Sequence, residues 1–426
     1  MEIQNARRPH RSPLMQQQSS QSPRFDEARA RLYLPDAHLV APPTYRRPRL
    51  VSTGGATSLA NSFSGSSLYL AKSGIQLGVL DGAFTLYDGN GLGLTKLKGA
   101  VWKATRALRR QPVGAFKFTD IFQDSLWKQY MPLLAGCDII HNTQLVGKHF
   151  IENRHRYDIR SIFYVDGTLR EYLDEYGPFD LKKEDPAIFE QAIDSERNGY
   201  ADADLVVAMS RMTAETLSRY YGVPRHKISV VPPGANIDPH FEARPSTSPS
   251  DEFVVGAVGY YPERKGFARL IDAVRQLRQA GENISVHVIG NLPQGYAPGD
   301  GLTHHGIIDK SKEMERYYNV VRRFNVGCQL SYAEMVGIAI LEYLRLGIPI
   351  MATSVGGATD VLEKGGSISV SRDITSSELA AQLLSLIRNP SRYKALKAEA
   401  EALRDWASWA RAARSLDDLL CPTAGG

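Results

Sequence analysis

The chain has 426 residues, 43% of them apolar and 23% charged, and carries a net charge of +5. That length exceeds one ordinary core and fits two domains of normal size with extras. The mild positive charge suits anionic ligands or an anionic membrane surface and does not by itself indicate nucleic acid. No stretch reaches the run of about 18 apolar residues that spans a bilayer. The N-terminus shows no apolar core after its arginines, so a secretory signal is not expected. Cys137, Cys328 and Cys421 are far apart and form no CxxC. A disulfide framework or zinc site is therefore not expected, and a cytoplasmic location fits.

Residues 1–46 are rich in Gln, Ser, Pro and Arg and read as a disordered basic tail. From there short β-branched runs alternate with helical periods. Strands are expected at Arg49–Thr53, Ile75–Leu80, Asp138–Asn142, Arg160–Asp166, Leu205–Met209 and Lys227–Val231. A second series follows at Phe253–Gly259, Ile284–Gly290, Val326–Leu330, Ile348–Thr353 and Ser367–Val370. Helical periods lie at Ser66–Lys72, Phe267–Gln279, Ile338–Leu346 and Ser391–Leu420, with Gly281 and Gly347 at expected C-caps. Two alternating series predict two doubly wound parallel sheets, an α/β architecture. The segments 47–235 and 236–405 form the two expected domains, and 406–426 a C-terminal helix that could cross back to the first. Ligands of such sheets sit beyond the carboxyl ends of the strands, hence in the cleft between the domains.

The most informative segment is Glu334-Met-Val-Gly-Ile-Ala-Ile-Leu-Glu342. Glu334 falls in the loop after an apolar run, and Glu342 falls about two turns into the next helix. A rise of 1.5 Å per residue separates them by roughly 12 Å. That span lets one carboxylate reach a sugar and the other a ribose, with a diphosphate between. The free N–H groups near Val336, Gly337 and Ile338 would face that diphosphate. On spacing alone, the favoured reading is a loop glutamate and a solvent-facing glutamate on an amphipathic helix. The segment Gly259-Tyr-Tyr-Pro-Glu-Arg-Lys-Gly266 directly follows a strand. Lys265 at that strand end could neutralise a leaving diphosphate, or the segment could be a solvated charged turn.

Taken with Ala203–Ser210 after Glu196, Val231–Asn236, Gly347–Ile350 and Val355–Gly357, these patches resemble retaining glycosyltransferase family 4 (glycosyl transferases group 1). The resemblance runs from about Asp204 to about Leu362. It implies the GT-B fold, two Rossmann-like domains facing a cleft. It implies that Lys265 binds the donor diphosphate, Glu334 the transferred sugar and Glu342 the ribose hydroxyls. Gly337 and Ile338 would offer N–H groups to phosphate or sugar. No metal or other cofactor is implied, because side chains and helix ends replace it. The donor would be a nucleotide-diphosphate sugar such as a UDP- or GDP-sugar. The sequence departs from the family at Tyr260, where an arginine is usual, with Arg264 as a neighbouring cation. It also departs at Met335-Val336-Gly337, in place of Gly-Phe-Gly, and at Asp360, in place of a glutamate.

The first half is less explicit. Thr53-Gly54-Gly55 follows the first strand, and its glycines could bring a loop close to the donor diphosphate, or form a simple turn. His141 ends a strand that enters the cleft and is either a functional or a structural histidine. Asp166 ends the next strand and could bind a sugar hydroxyl or the acceptor, or cap a helix beginning at Thr168. Residues 95–110 are basic and amphipathic, with Leu94, Leu97, Val101 and Leu108 on one face. Such a helix can lie on an anionic membrane as a peripheral contact, but packing of the apolar face on the first sheet is favoured.

The expected activity is transfer of a hexose-type sugar to a hydroxyl acceptor in polysaccharide, glycolipid or glycoconjugate biosynthesis. The alternatives are a non-catalytic nucleotide-sugar-binding protein and a sugar epimerase on the same fold. A nucleic-acid partner is not expected, because the basic segments lack interleaved aromatic residues.

Overall fold

The computed structural model describes residues 25, 38–54, 59, 65–86, 93–111, 113–180, 186–238 and 252–421. Most of the segment 1–46 lies outside the described residues. The first sheet contains β1 (His38–Leu39), β2 (Arg49–Gly54), β3 (Gly82–Leu86), β4 (Asp138–Asn142), β5 (Arg160–Val165), β6 (Leu205–Ala208) and β7 (Ile228–Val230). Its order is β1-β3-β2-β4-β5-β6-β7, parallel except for the edge strand β1. The second sheet contains β8 (Phe253–Gly259), β9 (Ile284–Gly290), β10 (Leu302–His304), β11 (Val326–Gln329), β12 (Ile350–Thr353) and β13 (Ser367–Val370). Its order is β10-β9-β8-β11-β12-β13, and its pairings are all parallel. Both sheets are doubly wound, with strand order reversing between β2 and β4 and between β8 and β11. Crevices open at such switch points, beyond the carboxyl ends of the strands.

Local sequence explains the second series well. β9 is buried along its whole length, as a central parallel strand covered on both faces must be. The helix Phe267–Gln279 buries Phe267, Leu270, Ile271, Val274 and Leu277, an i, i+3, i+4, i+7 stripe. Each such side chain contributes about 1.5–3 kcal/mol on burial. Gly281 (φ 89°) and Gly347 (φ 70°) take the left-handed conformation just past their helices.

Two predicted elements differ from expectation, and two short strands were not expected. Ile75–Leu80 is not a strand. Ile75 belongs to the helix Ser66–Gln76, which ends in a left-handed turn at Gly78 (φ 68°). Leu80 then folds back onto Gly74, where a Cβ would lie 2.4 Å from its methyl, and the strand begins two residues later as β3. The helix expected over Ser391–Leu420 is two helices, Pro390–Ala402 and Trp409–Leu420, the second capped by Ser408. The short strands β1 and β10 carry too few residues for an alternation signal.

The last helix packs against Ser66–Gln76 of the first half. Trp409 donates to Asn236 (2.9 Å), and Arg411 donates to the carbonyls of Pro232 (2.7 Å) and Pro233 (2.9 Å). One apolar cluster continues from Val51, Ile140 and Tyr164 through Trp409 and Leu416 to Ile289, Ile340 and Tyr343. The two sheets therefore share a core on one side of the cleft.

Candidate functional site

The two switch points face each other across a cavity of about 460 Å³. β8 delivers the turn Tyr260–Lys265 to its rim. Gly266 (φ 65°) closes that turn, and a Cβ there would lie 2.2 Å from the Leu330 carbonyl oxygen, just past β11. Only glycine lets the turn and the end of β11 approach so closely. Lys265 thereby reaches Glu334, and the two form a direct ion pair. Arg264 lies 3.6 Å from the same carboxylate and donates to the Ala333 carbonyl (2.9 Å). Ser331 and Gln329 each donate to Glu334 Oε2 at 3.2 Å. Burial opposes the charge of Glu334, but Lys265 and Arg264 outweigh it and hold the carboxyl below its usual range. Burial pulls the Lys265 ammonium below the usual lysine range, against the attraction of Glu334.

The helix Ile338–Arg345 starts at Gly337 (φ 84°), and no side chain caps it. Val336, Gly337 and Ile338 line the cavity, so an uncapped helix N-terminus opens onto it. Glu342 lies one turn into the helix rather than about two, because the helix starts only at Ile338; it is buried but lines the same cavity. Lys310 donates to its Oε1 (2.5 Å), and the Tyr317 hydroxyl donates to its Oε2.

The first half contributes Ser66, Tyr69, Asn142, Asp166, Tyr172 and Tyr176. Asp166 follows β5 and accepts from the Tyr172 hydroxyl at 2.9 Å. Burial pushes its carboxyl up to about 6, with the Tyr172 hydrogen bond opposing. The following helix, Leu169–Asp180, is capped by Thr168 and Glu171, which bond each other's N–H groups at 3.2 and 2.7 Å. Asp166 is therefore not its cap. Glu196 steadies the same helix start, accepting from Leu169 N–H (3.0 Å) and the Tyr200 hydroxyl (2.7 Å).

His141 does not enter the cleft. Side chains alternate along a strand, and His141 shares the face of Ile139, under Trp127, Phe150 and Phe163. It is fully buried beside Ser52 Oγ (3.1 Å), and burial pushes its imidazole down to about 3. A group neutral throughout the physiological range is no acid at this site. Asn142, one residue on, lines the cavity in its place. Gly54 ends β2 against Thr143 and is not among the lining residues, and Gly55 lies outside the described residues.

The residues that sequence reasoning missed are mostly aromatic or distant partners. Tyr172 and Tyr176 are four apart on one helix, a spacing that carries no chemistry by itself. Lys310 and Tyr317 acquire meaning only through Glu342. Of the departures, Tyr260 lines the rim and is half exposed, and Arg264 points inward, its guanidinium 4.3 Å from the Tyr176 ring centre. Asp360 leaves the site and pairs with Arg211 of the first half at 2.8 Å.

The helix Gly93–Leu108 also corrects an expectation. Leu97, Val101 and Leu108 do not pack on the sheet but are 60%, 58% and 87% exposed. The helix instead leans on Phe116 through Gly99 and Trp102, the rings 5.3 Å apart. Leu94 has no described side chain. Among the described residues no helix is long and apolar enough to cross a membrane, and no cluster of His, Cys, Asp and Glu could hold a metal ion.

Two family models match the chain. Residues 67–239 match glycosyltransferase family 4, and residues 240–403 match glycosyl transferases group 1. Among curated proteins, D-inositol 3-phosphate glycosyltransferase of Nocardia farcinica is 26% identical over 244 residues, 52% of this chain and 53% of that protein. A GDP-mannose-dependent alpha-(1-6)-phosphatidylinositol monomannoside mannosyltransferase of Mycolicibacterium smegmatis is 26% identical over 51% of this chain and 62% of that protein. The chain spans about half the length of the curated relatives it matches. Among solved structures, HepE of Anabaena in complex with UDP-glucose superposes with a TM-score of 0.59 at 16% identity, over 88% of this chain and 99% of the other. Sucrose-phosphate synthase of Thermosynechococcus elongatus superposes with a TM-score of 0.59 at 17% identity, over 88% and 99%. These likenesses show the fold, GT-B.

Proposed function

Because this chain belongs to the group 1 glycosyltransferases, with a family 4 first half, we propose that it transfers a hexose-type sugar from a nucleotide-diphosphate sugar to a hydroxyl acceptor. One observation carries the reading. Lys265 and Glu334 from two separate loops, with Glu342 and the uncapped N-terminus of its helix, converge on one cavity between two doubly wound sheets. Glu342, oriented by Lys310 and Tyr317, keeps lone pairs for the ribose hydroxyls. The N–H groups from Val336 to Ile338 take the diphosphate. Lys265 faces the diphosphate oxygens as charge develops on them. Glu334 holds the transferred sugar, and Asp166 stands on the acceptor side.

By family resemblance, the anomeric configuration is retained. The bond from the anomeric carbon to the diphosphate oxygen breaks, and a bond to the acceptor oxygen forms. The acceptor proton passes to the leaving diphosphate. The glutamates act as binding groups, not as the acid and base of a glycosidase. Side chains and the helix end take the place of a metal ion. A polysaccharide, glycolipid or glycoconjugate acceptor fits this chemistry.

The test is thermal unfolding of the wild type and Glu342→Ala with UDP, GDP, ADP and their sugars. A ligand at 100 times its Kd adds about 2.7 kcal/mol of stability. One base should raise the melting temperature of the wild type and not that of the variant. Equal shifts in both remove Glu342 from the ribose. Binding without turnover on any acceptor favours a non-catalytic binder, and interconversion of free nucleotide-sugars favours an epimerase.

The exposed Leu97, Val101 and Leu108, with Lys98, Lys103, Arg109 and Arg110 exposed nearby, further support peripheral contact with an anionic membrane. Sedimentation with anionic phospholipid vesicles should carry down the wild type at low salt. Leu97→Glu with Val101→Glu should abolish this. A wild type left in the supernatant rules the contact out.

A further inference from the structure

The helix Leu169–Asp180 belongs to the first half, yet Tyr176 reaches across the cleft to the loop that carries Glu334. Its hydroxyl donates to Glu334 Oε1 at 3.3 Å and accepts from the Met335 N–H at 2.9 Å. Arg264 lies over the ring face (4.3 Å), and Tyr172 meets the ring edge-on (5.3 Å). Glu334 Oε2, by contrast, is held by Lys265, Gln329 and Ser331 within its own half. One oxygen of Glu334 is thus fixed in place. The other, together with one backbone N–H, is engaged by a single phenol from the opposite half.

A phenol hydroxyl and a secondary alcohol have the same capacity, one donor and two acceptor lone pairs. The carboxylate and the N–H offered here form a pair suited to one sugar hydroxyl. Tyr176 already makes that pair of bonds. The residue lines the same cavity as Gly337, Ile338 and Glu342, where the nucleotide part is placed.

We propose that Tyr176 is a stand-in for a donor-sugar hydroxyl: it occupies the sugar subsite and gives it up when the sugar binds. This rests on the glycosyltransferase reading above. Because the ring comes from the opposite half, a small opening of the cleft withdraws it from Glu334 and Met335 together. Motion between domains of this kind is common around ligands. The nucleoside diphosphate alone, lacking the sugar, does not compete with Tyr176. The sugar does, and part of its binding free energy is spent on displacing the phenol. Donor selection therefore depends on whether a sugar places a hydroxyl where the phenol oxygen stands.

The test uses Tyr176→Phe, which keeps the ring against Arg264 and removes only the hydroxyl. Affinities for UDP, GDP and ADP, and for UDP-glucose, GDP-mannose and ADP-glucose, are measured by titration calorimetry on the full chain. For the base that binds, the variant should bind the nucleotide-sugar about tenfold more tightly, the effect of removing competing hydrogen bonds to a charged group. Its affinity for the nucleoside diphosphate should be unchanged. Tyr172→Phe, which loses only the contact to Asp166, should show no such split. An unchanged or weaker affinity of Tyr176→Phe for the nucleotide-sugar overturns the proposal, as does the same split in Tyr172→Phe. A wild type that binds no nucleotide in either form overturns the glycosyltransferase reading and this proposal with it.

Discussion

The Glu334→Ala enzyme is expected to lose about a thousandfold in kcat/KM and about 3–5 kcal/mol of stability. Two effects coincide at this residue. In the proposed function the carboxylate holds the transferred sugar, so its loss removes a contact that orients the reacting carbon. It is also the partner of the largely buried Lys265 and lies within 3.6 Å of the buried Arg264. Removing it leaves the Lys265 ammonium without its anion and Arg264 with only the Ala333 carbonyl and the Tyr176 ring, which costs more than the pair itself is worth. Glu334→Gln should separate the effects. It retains a side-chain oxygen for Ser331 and Gln329 but not the charge, so it should lose activity without the full loss of stability. Urea unfolding and steady-state kinetics on the three proteins decide the matter. A Glu334→Ala enzyme within threefold of wild-type kcat/KM would remove the residue from the sugar site.

Lys265→Ala is expected to lower kcat by about a hundred- to a thousandfold, with little change in KM. In the proposed function the ammonium matters most when charge collects on the departing diphosphate. Loss of such a contact appears in kcat rather than in ground-state binding. The cost in stability should be smaller than for Glu334→Ala, because Glu334 keeps Arg264, Ser331 and Gln329. The double variant should be far from additive, since the two side chains touch and act as a unit. A Lys265→Ala enzyme that raises KM with kcat intact would reassign the lysine to ground-state binding.

Parts of the fold were legible because they depend on local periodicity. β8, β9 and Phe267–Gln279 have the bounds that alternation and the 3.6 period predict. The strand expected at Ile75–Leu80 failed because an apolar run does not by itself distinguish a helix end from a strand. Gly78, the residue that ends the helix, lies inside that run.

The site divides in the same way. Lys265, Glu334, Glu342, Gly337 and Ile338 lie just past strands or at a helix start, where a doubly wound sheet directs residues into its crevice, and all line the cavity. That placement follows from order along the chain, so the sequence by itself determined it. The burial of His141 was decided by strand pleat and by three aromatic side chains from other segments. The exposure of Leu97, Val101 and Leu108 was decided by which face of their helix met Phe116. Tyr176 reaches Glu334 across 158 positions of sequence, and Lys310 reaches Glu342 across 32. The first depends on how the two sheets are set against each other, and the second on how two helices of the second half pack. Only the tertiary structure decided them, because no local period or propensity encodes the relative position of elements far apart in the chain.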